Sequence, residues 1–188
     1  MKTLTTWEFD SPIGEIVLVS AGTNMCAIDY KDCAVRMHRL MSKRFGAFRL
    51  ARSFEEPTEV FRLKEYFAGD LGALETLPVD IEGTAFQNAV WQALLLIPVG
   101  TTQTYGWLAR EIGRPQAVRA VGAATSRNPI ALIVPCHRLV GANGKLTGYA
   151  GGLRRKEWLL AHERGVGVKS AQRCENKDKT NRDLHLLK

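Results

Sequence analysis

The chain lacks the features that mark membrane proteins and small secreted proteins. None of its apolar stretches approaches the roughly 20 residues of a membrane-spanning helix, and its start, Met1–Trp7, lacks the apolar core of a signal peptide. It has only four cysteines in 188 residues and no C-x2-C pair, so neither a disulfide framework nor a zinc finger is indicated. We therefore expect a cytoplasmic protein with reduced thiols and no attachment to membranes.

The cysteines leave a metal site open as one alternative. Cys26, Cys33 and His38 could donate to a metal ion, but the fourth ligand that a structural zinc site needs is not evident. We interpret Cys26 and Cys33 as reduced structural cysteines, and we expect no metal.

Positive charge is scarce in the first half of the chain and concentrated in the second. The formal net charge of +7 divides into −3 over residues 1–83, +6 over 84–163 and +4 over 164–188. An acidic first part joined to a basic second part indicates that the second part binds a polyanion. Solubility alone would explain the total charge, but not this asymmetry.

The first eighty residues have the pattern of a small structural domain. Three short apolar segments before residue 31 are separated by turn-like stretches, which predicts an antiparallel meander. The spacing of apolar residues predicts helices over 32–45 and 57–68, the second with Pro57 at its start and Gly69 past its end. No residue pattern in this part indicates a chemical activity.

Short helices are predicted after a boundary near residues 77–83. Thr84 and Gln87 have the spacing of a capping box, which predicts the start of a helix. Two further helices are predicted over 105–112 and 115–126, and a glycine-containing turn between two short helices is typical of a helix-turn-helix.

One face of the predicted helix over 115–126 carries alanines between arginines. Small alanines let a helix backbone approach a ligand closely, while arginines can reach phosphates or enter between bases. A solvated helix whose alanines serve only helix propensity is the alternative. When the helix is projected at 100° per residue, this face consists of Arg119, Ala120, Ala123 and Arg127. Val118, Val121 and Gly122 cluster on the opposite face.

The residues most suggestive of chemistry are Cys136 and His137. They follow a continuous apolar run, 130–134, that predicts a buried strand, and Pro135 favours a break in regular pairing that could let both side chains share one site. A cysteine is strongly nucleophilic only as a thiolate, and a neighbouring histidine can take its proton directly or through one water. A small core cysteine is the alternative interpretation.

The remainder of the chain supplies a loop, a helix and a tail. The loop Thr147–Gly152 surrounds Tyr149 with glycines, and such a loop can wrap closely around a flat ligand. Residues 156–163 are predicted to be helical. The tail from Gly165 is polar, basic and weakly periodic, and we expect it to be flexible, either adding nonspecific nucleic-acid affinity or serving as a dispensable extension.

Taken together, these motifs resemble the O6-alkylguanine-DNA alkyltransferases, the methylated-DNA–protein-cysteine methyltransferases, in the bacterial Ogt-type form without a separate metal-binding domain. The match is strongest at Pro-Cys-His-Arg, residues 135–138, set between Asn128-Pro129 and Gly-Tyr-Ala-Gly-Gly at 148–152. The motifs at 119–122 and 156–160 fit in order and spacing. The detailed resemblance covers residues 84–164, the first half matches more loosely, and the tail has no counterpart.

The resemblance implies an α/β (α+β) protein of two domains. Residues 1–80 would form a small ribonuclease H-like domain, and residues 84–164 a winged-helix-like domain that contains both the DNA-binding surface and the active cysteine. Residues 165–188 would be a basic tail. The partner would be double-stranded DNA containing alkylated bases, the protein a monomer, and the recognition helix would enter the minor groove.

The resemblance also implies a mechanism of irreversible alkyl transfer. Cys136 would attack the alkyl carbon, His137 would deprotonate it through a water, and Glu163 would orient His137. Tyr105 would help rotate the nucleotide out of the duplex and supply a hydrogen bond or a proton at N3 of the departing guanine. Asn128 would tie the recognition helix to the cysteine segment. No cofactor is needed for this direct transfer.

Further residues are assigned by the same resemblance to DNA and to the base. Arg119 would fill the space left by the rotated nucleotide. The small side chains of the 148–152 loop suggest room for alkyl groups larger than methyl, and the preference between O6-alkylguanine and O4-alkylthymine stays open. The DNA-binding set is Arg119, Ala120, Gly122, Ala123 and Arg127, and the pocket set is Tyr149, Leu139, Ala150, Gly151 and Thr125.

Three other functions fit parts of the pattern. A lesion sensor without alkyl transfer would share the DNA-binding frame but lacks the nucleophilic cysteine, so Cys136 argues against it. A winged-helix regulator would explain the charge and the helices but not the combination of Cys136, His137, Tyr149 and Glu163. A cysteine hydrolase would turn over on esters or peptides and would have no use for the basic helix.

Overall fold

The first part of the chain forms a four-stranded sheet in the order β3-β2-β1-β4. A computed structural model describes residues 1–165. β1 pairs antiparallel with β2, β2 pairs antiparallel with β3, and β4 pairs parallel with β1. The predicted meander is therefore present, whereas β4 was not anticipated. The strands are β1 (Lys2–Ser11), β2 (Gly14–Ala21), β3 (Asn24–Tyr30) and β4 (Phe48–Arg52).

The sheet is covered on both faces, as the alternation of β2 shows. Ile16 and Leu18 point into the main hydrophobic core, while Val17 and Val19 point to a second cluster on the opposite face. The second cluster is closed by α1 (Ala34–Phe45). All four side chains are almost completely buried, so both faces contribute apolar burial to stability.

The helices of the first part begin and end close to where the sequence predicts. A single 3₁₀ turn, Lys31–Cys33, precedes α1. The second helix, α2 (Thr58–Ala68), follows Pro57 and ends at Gly69, whose φ of 114° is left-handed and suits a residue without a Cβ. The hydrophobic spacing and the two end signals therefore identified this helix.

Short helices dominate the second part. The capping box is present: the Thr84 side chain accepts a hydrogen bond from the backbone of Gln87, and the Gln87 side chain accepts one from the backbone of Thr84. A two-residue parallel pair joins the segment before α4 to the segment after the cysteine. The elements are α3 (Ala85–Leu95), β5 (Gln103–Thr104), α4 (Tyr105–Glu111), α5 (Val118–Thr125), β6 (Leu139–Val140) and α6 (Leu153–Glu163).

The prediction of a buried strand over residues 130–134 is wrong. The segment is buried, but it is a turn in which only Ile130 bridges to Ile28 of β3. Leu132 has a φ of 72°, and the amide of Val134 donates back to the carbonyl of Ile130 at 3.1 Å. An apolar run indicates burial but does not specify backbone conformation, which explains the error.

The face assignment on α5 also needs one correction. Val118 is 39% exposed, and the buried face of the helix consists of Val121, Ala124 and Thr125. α5 also begins at Val118 rather than at 115, so Val118 stands at the helix end, where the neighbouring turn does not cover it.

One hydrophobic cluster contains residues from both parts of the chain, among them Leu63, Leu94 and Leu159. The division into domains over 1–80 and 84–164 stays a prediction. Apart from Gly165, the predicted tail lies outside the described residues. Within residues 1–165 no helix is both long and apolar enough to cross a membrane.

Candidate active site

Cys136 opens a single 3₁₀ turn, Cys136–Arg138, that immediately follows Pro135. The residue is buried, and its Sγ accepts a hydrogen bond from Nδ2 of Asn128 at 3.3 Å. Its backbone amide donates to the carbonyl of Val134 at 2.7 Å. The thiol is therefore held by the backbone turn and by one side-chain donor.

Asn128 connects the end of α5 to this turn. Its Nδ2 also donates to the carbonyl of Val134 at 2.9 Å, and its Oδ1 accepts the amide of Ile130 at 3.0 Å. The side chain is 2% exposed, so these bonds are shielded from water. The structure thus places Asn128 between the end of α5 and the cysteine segment, where the resemblance implies that it ties the two together.

His137 lies beside Cys136 in sequence but bonds to a residue far along the chain. Its Nε2 lies 2.8 Å from Oε1 of Glu163, and both side chains are completely buried. Because an ionised carboxylate can only accept, we assign the proton to Nε2. The other ring nitrogen, Nδ1, is then an acceptor, and among residues 1–165 it has no hydrogen-bond partner.

The carboxylate of Glu163 is the centre of a buried network. Arg138 donates to both of its oxygens at 2.9 Å, the hydroxyl of Tyr66 donates at 2.9 Å, and the amide of Gly100 donates at 3.2 Å. Burial alone would raise the pKa of Glu163, but the hydrogen bonds and charges of His137 and Arg138 outweigh it and hold the pKa well below its usual range. The carboxylate is therefore ionised at neutral pH.

Burial sets the protonation states of the two neighbouring groups. It raises the pKa of the Cys136 thiol, although the hydrogen bond from Asn128 and the charges of Arg36 and Lys156 act in the opposite direction. It lowers the pKa of His137, although Glu163 acts against it. At neutral pH the resting pair is therefore a thiol and a neutral imidazole that can accept a proton.

A cavity of about 820 Å³ brings the cysteine and α5 together. Tyr105 stands at its edge at the start of α4, and its hydroxyl donates to the carbonyl of Gly148 at 3.0 Å. The remaining wall comes from α5 and the glycine-rich loop. Predicted site residues that line the cavity are Cys136, Tyr105, Arg119, Gly122, Thr125, Tyr149 and Ala150.

The predicted DNA-binding face of α5 is open to solvent. Arg119, Ala120, Ala123 and Arg127 are all exposed, and Gly122 is partly exposed. Arg119 also lines the cavity that Cys136 lines, so a cationic side chain on an alanine-rich face borders the same space as the predicted nucleophile. This arrangement suits a polyanion that must approach the helix backbone closely.

Two predicted pocket residues do not line this cavity. The side chain of Leu139 is completely buried in the main core. Gly151 packs against Tyr30 and lines a separate small space that also borders Cys136 and Tyr149. The contact of the Leu139 backbone with the guanine edge and the room that Gly151 leaves for larger alkyl groups stay predictions.

Two family models cover nearly all of the described chain. The model described as "6-O-methylguanine DNA methyltransferase, ribonuclease-like domain" matches residues 4–81, and the one described as "6-O-methylguanine DNA methyltransferase, DNA binding domain" matches residues 85–165. The chain belongs to the 6-O-methylguanine DNA methyltransferase family. The resemblance seen at the sequence level is thereby confirmed, as is the fold class: a mixed α/β protein with a ribonuclease-like part and a helical DNA-binding part.

Individual relatives of this 6-O-methylguanine DNA methyltransferase family member align with most of its sequence. Proteins named methylated-DNA–protein-cysteine methyltransferase from Shigella flexneri and Mycobacterium leprae are 44% and 48% identical, over 81% and 82% of this chain and 91% and 89% of their own. The crystal structure of Mycobacterium tuberculosis OGT in complex with DNA has a TM-score of 0.71 at 40% identity, covering 87% of this chain and 94% of that one.

Sequence reasoning missed several members of the network in this methyltransferase. Arg138 and Tyr66 hold Glu163, and Arg36 donates to the carbonyls of Ser126 and Asn128 at 3.1 and 3.3 Å. Tyr66 and Arg36 lie far from their partners in the chain, so no local pattern could reveal them.

The sequence of α6 contained a signal for one residue that was missed, Lys156. Lys156, Leu159, Leu160 and Glu163 recur at helical spacing and are all buried, so two charged residues interrupt an apolar stripe. Nζ of Lys156 donates to the carbonyl of Thr147 at 2.6 Å, and burial lowers the pKa of Lys156 to about 8. A charge on the buried face of a helix should have flagged both residues.

Proposed function

We propose that this chain repairs double-stranded DNA by moving the alkyl group of O6-alkylguanine onto its own Cys136. The observation that carries this proposal is the shared cavity: the buried Cys136 and the exposed Arg119, on the alanine-rich face of α5, line the same space. A cysteine hydrolase would have no use for that face. A regulator would not need the buried His137–Glu163 pair.

The lesion must leave the base stack before the thiol can reach it. The alkylated oxygen is enclosed in the duplex, so the nucleotide must rotate out, at a cost of a few kcal/mol. In this proposal α5 lies in the minor groove with Ala120, Gly122 and Ala123 against the backbone, while Arg127 contacts phosphate. Arg119 fills the vacated stack and Tyr105 guides the rotated nucleotide. The exposure of α5 and the position of Tyr105 at the cavity edge support these roles.

The proton leaves the thiol through His137. Nδ1 of the neutral imidazole is an acceptor without a partner among residues 1–165, and one bridging water would carry the proton from Sγ to it. Glu163 then stabilises the imidazolium, as the orienting acid does in a nucleophile–base–acid triad. Burial disfavours a resting thiolate, so the thiol becomes strongly nucleophilic only when the base acts.

The alkyl transfer is a single displacement. The thiolate forms a bond to the alkyl carbon, the bond from that carbon to O6 breaks with its electrons passing to guanine, and the hydroxyl of Tyr105 supplies a proton to the base. The product on the protein is a thioether with no easily displaced group. Each molecule therefore acts once, and no cofactor takes part.

The proposal also covers which alkylated bases are substrates, the oligomeric state and the cellular location of the protein. Tyr149, Thr125 and Ala150 line the cavity. In this proposal they surround the alkyl group, and backbone groups near Cys136, Leu139 and Ala150 read the edge of guanine. The small residues of the loop favour acceptance of groups larger than methyl, and O4-alkylthymine remains a second candidate substrate. We expect the protein to act as a monomer in the cytoplasm.

The amount of guanine restored per protein molecule tests the proposal. Increasing amounts of a duplex with one O6-methylguanine are incubated with a fixed amount of protein, and restored guanine is measured by chromatography after digestion. We expect a plateau at one guanine per protein molecule. Continued turnover would contradict the suicide mechanism, and the absence of restored guanine would contradict repair altogether.

A further inference from the structure

The pocket wall formed by Tyr149 is tied to the first part of the chain. The hydroxyl of Tyr149 lies 2.9 Å from the hydroxyl of Tyr30, the last residue of β3. Tyr30 is 1% exposed, so this contact between two phenols is shielded from water. The rings meet edge to face, with centroids 6.4 Å apart. A residue of the ribonuclease-like part thus reaches the back of the alkyl pocket.

The ring of Tyr30 packs directly against Gly151. Its ring occupies the space that any side chain at Gly151 would need, and a Cβ there would collide with Tyr30 and come within 2.8 Å of Tyr149. Gly151 therefore allows both tyrosines to press against the backbone of the loop.

Arg155 of α6 fixes the same assembly from the other side. Its guanidinium stacks over the ring of Tyr30 at 4.2 Å and bonds both carboxylate oxygens of Asp32 at 3.0 Å. It also donates to the carbonyls of Ile13 at 2.7 Å and Gly151 at 3.0 Å. One side chain therefore links the sheet, the buried tyrosine and the active-site loop.

The loop itself has little regular structure to hold Tyr149. Residues 145–149 belong to no helix or strand, and Gly148 and Gly152 have φ values of 47° and 91°. Without external contacts such a segment would sample many conformations. The position of the Tyr149 ring therefore depends on the contacts that reach it from outside the loop, and its hydroxyl is bound by Tyr30.

We propose that Tyr30 is a positioning residue that sets the width of the alkyl pocket by holding the hydroxyl of Tyr149. This inference rests on the proposed function, because it concerns the alkyl group that Cys136 receives. A fixed wall keeps a small methyl group in line with Sγ. A larger group fills the pocket itself and depends less on the wall.

The test removes only the hydroxyl of Tyr30. Tyr30→Phe keeps the ring against Gly151 and Arg155, and transfer rates are measured with two duplexes that differ only in carrying O6-methylguanine or O6-benzylguanine. We expect the methyl rate to fall roughly two- to tenfold, the size associated with one buried hydrogen bond. The benzyl rate should fall less, so the ratio of benzyl to methyl rates should rise.

Two further variants separate positioning from a general loss of stability. Ser20→Ala removes another buried hydroxyl of the same sheet, which donates to the carbonyl of Gly22, and it should leave the ratio unchanged even if it lowers the melting temperature. Tyr149→Phe should change the ratio as Tyr30→Phe does, and the double variant should change it no further.

The outcomes distinguish this inference from the proposed function. If the unaltered protein transfers alkyl groups and Tyr30→Phe leaves the ratio unchanged, the positioning role is wrong. Additive effects of the two phenylalanine substitutions would also refute it, because independent effects show no coupling between the hydroxyls. If the unaltered protein transfers no alkyl group to Cys136, the proposed function fails, and the inference fails with it.

Discussion

Nε2 of His137 and Oε1 of Glu163 lie 2.8 Å apart in a position that water does not reach. The bond fixes the tautomer of the imidazole and leaves Nδ1 able to accept the proton of Cys136 in the proposed mechanism. The same carboxylate also accepts hydrogen bonds from Arg138 and Tyr66. It therefore both orients His137 and holds α6 in place. The proposed base, His137, and the packing of α6 against the rest of the protein therefore depend on one side chain.

Replacing Glu163 with glutamine should both destabilise the protein and slow alkyl transfer. Arg138 would keep its buried charge without a charged partner, which typically costs about 3–5 kcal/mol of the free energy of unfolding. The base would also lose the anion that stabilises its protonated form. Thermal melting and single-turnover rates measure the two effects. Glu157→Gln, an exposed carboxylate on the same helix, is the matched control and should alter neither.

The stability lost in Glu163→Gln should depend on pH in a defined direction. The pKa of Glu163 is lowered in the folded protein from an ordinary value of 4.5, so its contribution is fully present above pH 4.5 and disappears as the pH falls below that value. The difference in melting temperature between the two proteins should be constant from pH 6 to 7.5 and shrink in acid. A difference that grew in acid would contradict an ionised Glu163.

Asn128→Ala should weaken both the fold and the nucleophile. The substitution leaves the amide of Ile130 and the carbonyl of Val134 without their side-chain partner, which should cost about 2–4 kcal/mol of the free energy of unfolding. It also removes the donor to Sγ, so the pKa of Cys136 should rise further and transfer should slow. Urea unfolding and single-turnover kinetics check this, with the exposed Asn143→Ala as control. Unchanged kinetics would show that Asn128 is purely structural.

The positions of helix ends could be predicted from the sequence, whereas contacts between distant segments could not. Gly69 and the pair Thr84 and Gln87 act within one helical turn, so the local pattern contains all the information. Tyr66 and Glu163 are 97 residues apart, and only the folded core joins them. Residues Ile130–Val134 were correctly expected to be buried but wrongly assigned to a strand, because hydrophobicity does not report the left-handed backbone of Leu132.

Arg119→Ala should slow repair of duplex DNA much more than attack on a free base. If the side chain fills the space of the rotated nucleotide, its loss removes part of the compensation for unstacking, so we expect a loss of roughly tenfold or more on duplex DNA. The rate with free O6-benzylguanine should be unchanged. Arg119→Lys keeps the charge but has a different shape, which separates stacking from phosphate binding. Equal losses on both substrates would refute the role.

Removing residues 166–188 should leave alkyl transfer intact. All of the site residues proposed here lie before the deletion, which removes three net positive charges. Single-turnover kinetics at two salt concentrations measure the effect. The loss of positive charge should weaken nonspecific DNA affinity more than any other property. An inactive truncated protein would show that the tail is needed for the fold or for the reaction.

Intact-protein mass spectrometry after incubation with a duplex that carries one O6-methylguanine tests the central claim most directly. The account predicts a stoichiometric gain of one methyl group, mapped by peptide analysis to Cys136. Cys136→Ala should show no gain while still binding the lesion. An unchanged mass of the unaltered protein with the lesion still bound, or a methyl group on another residue, would contradict the account.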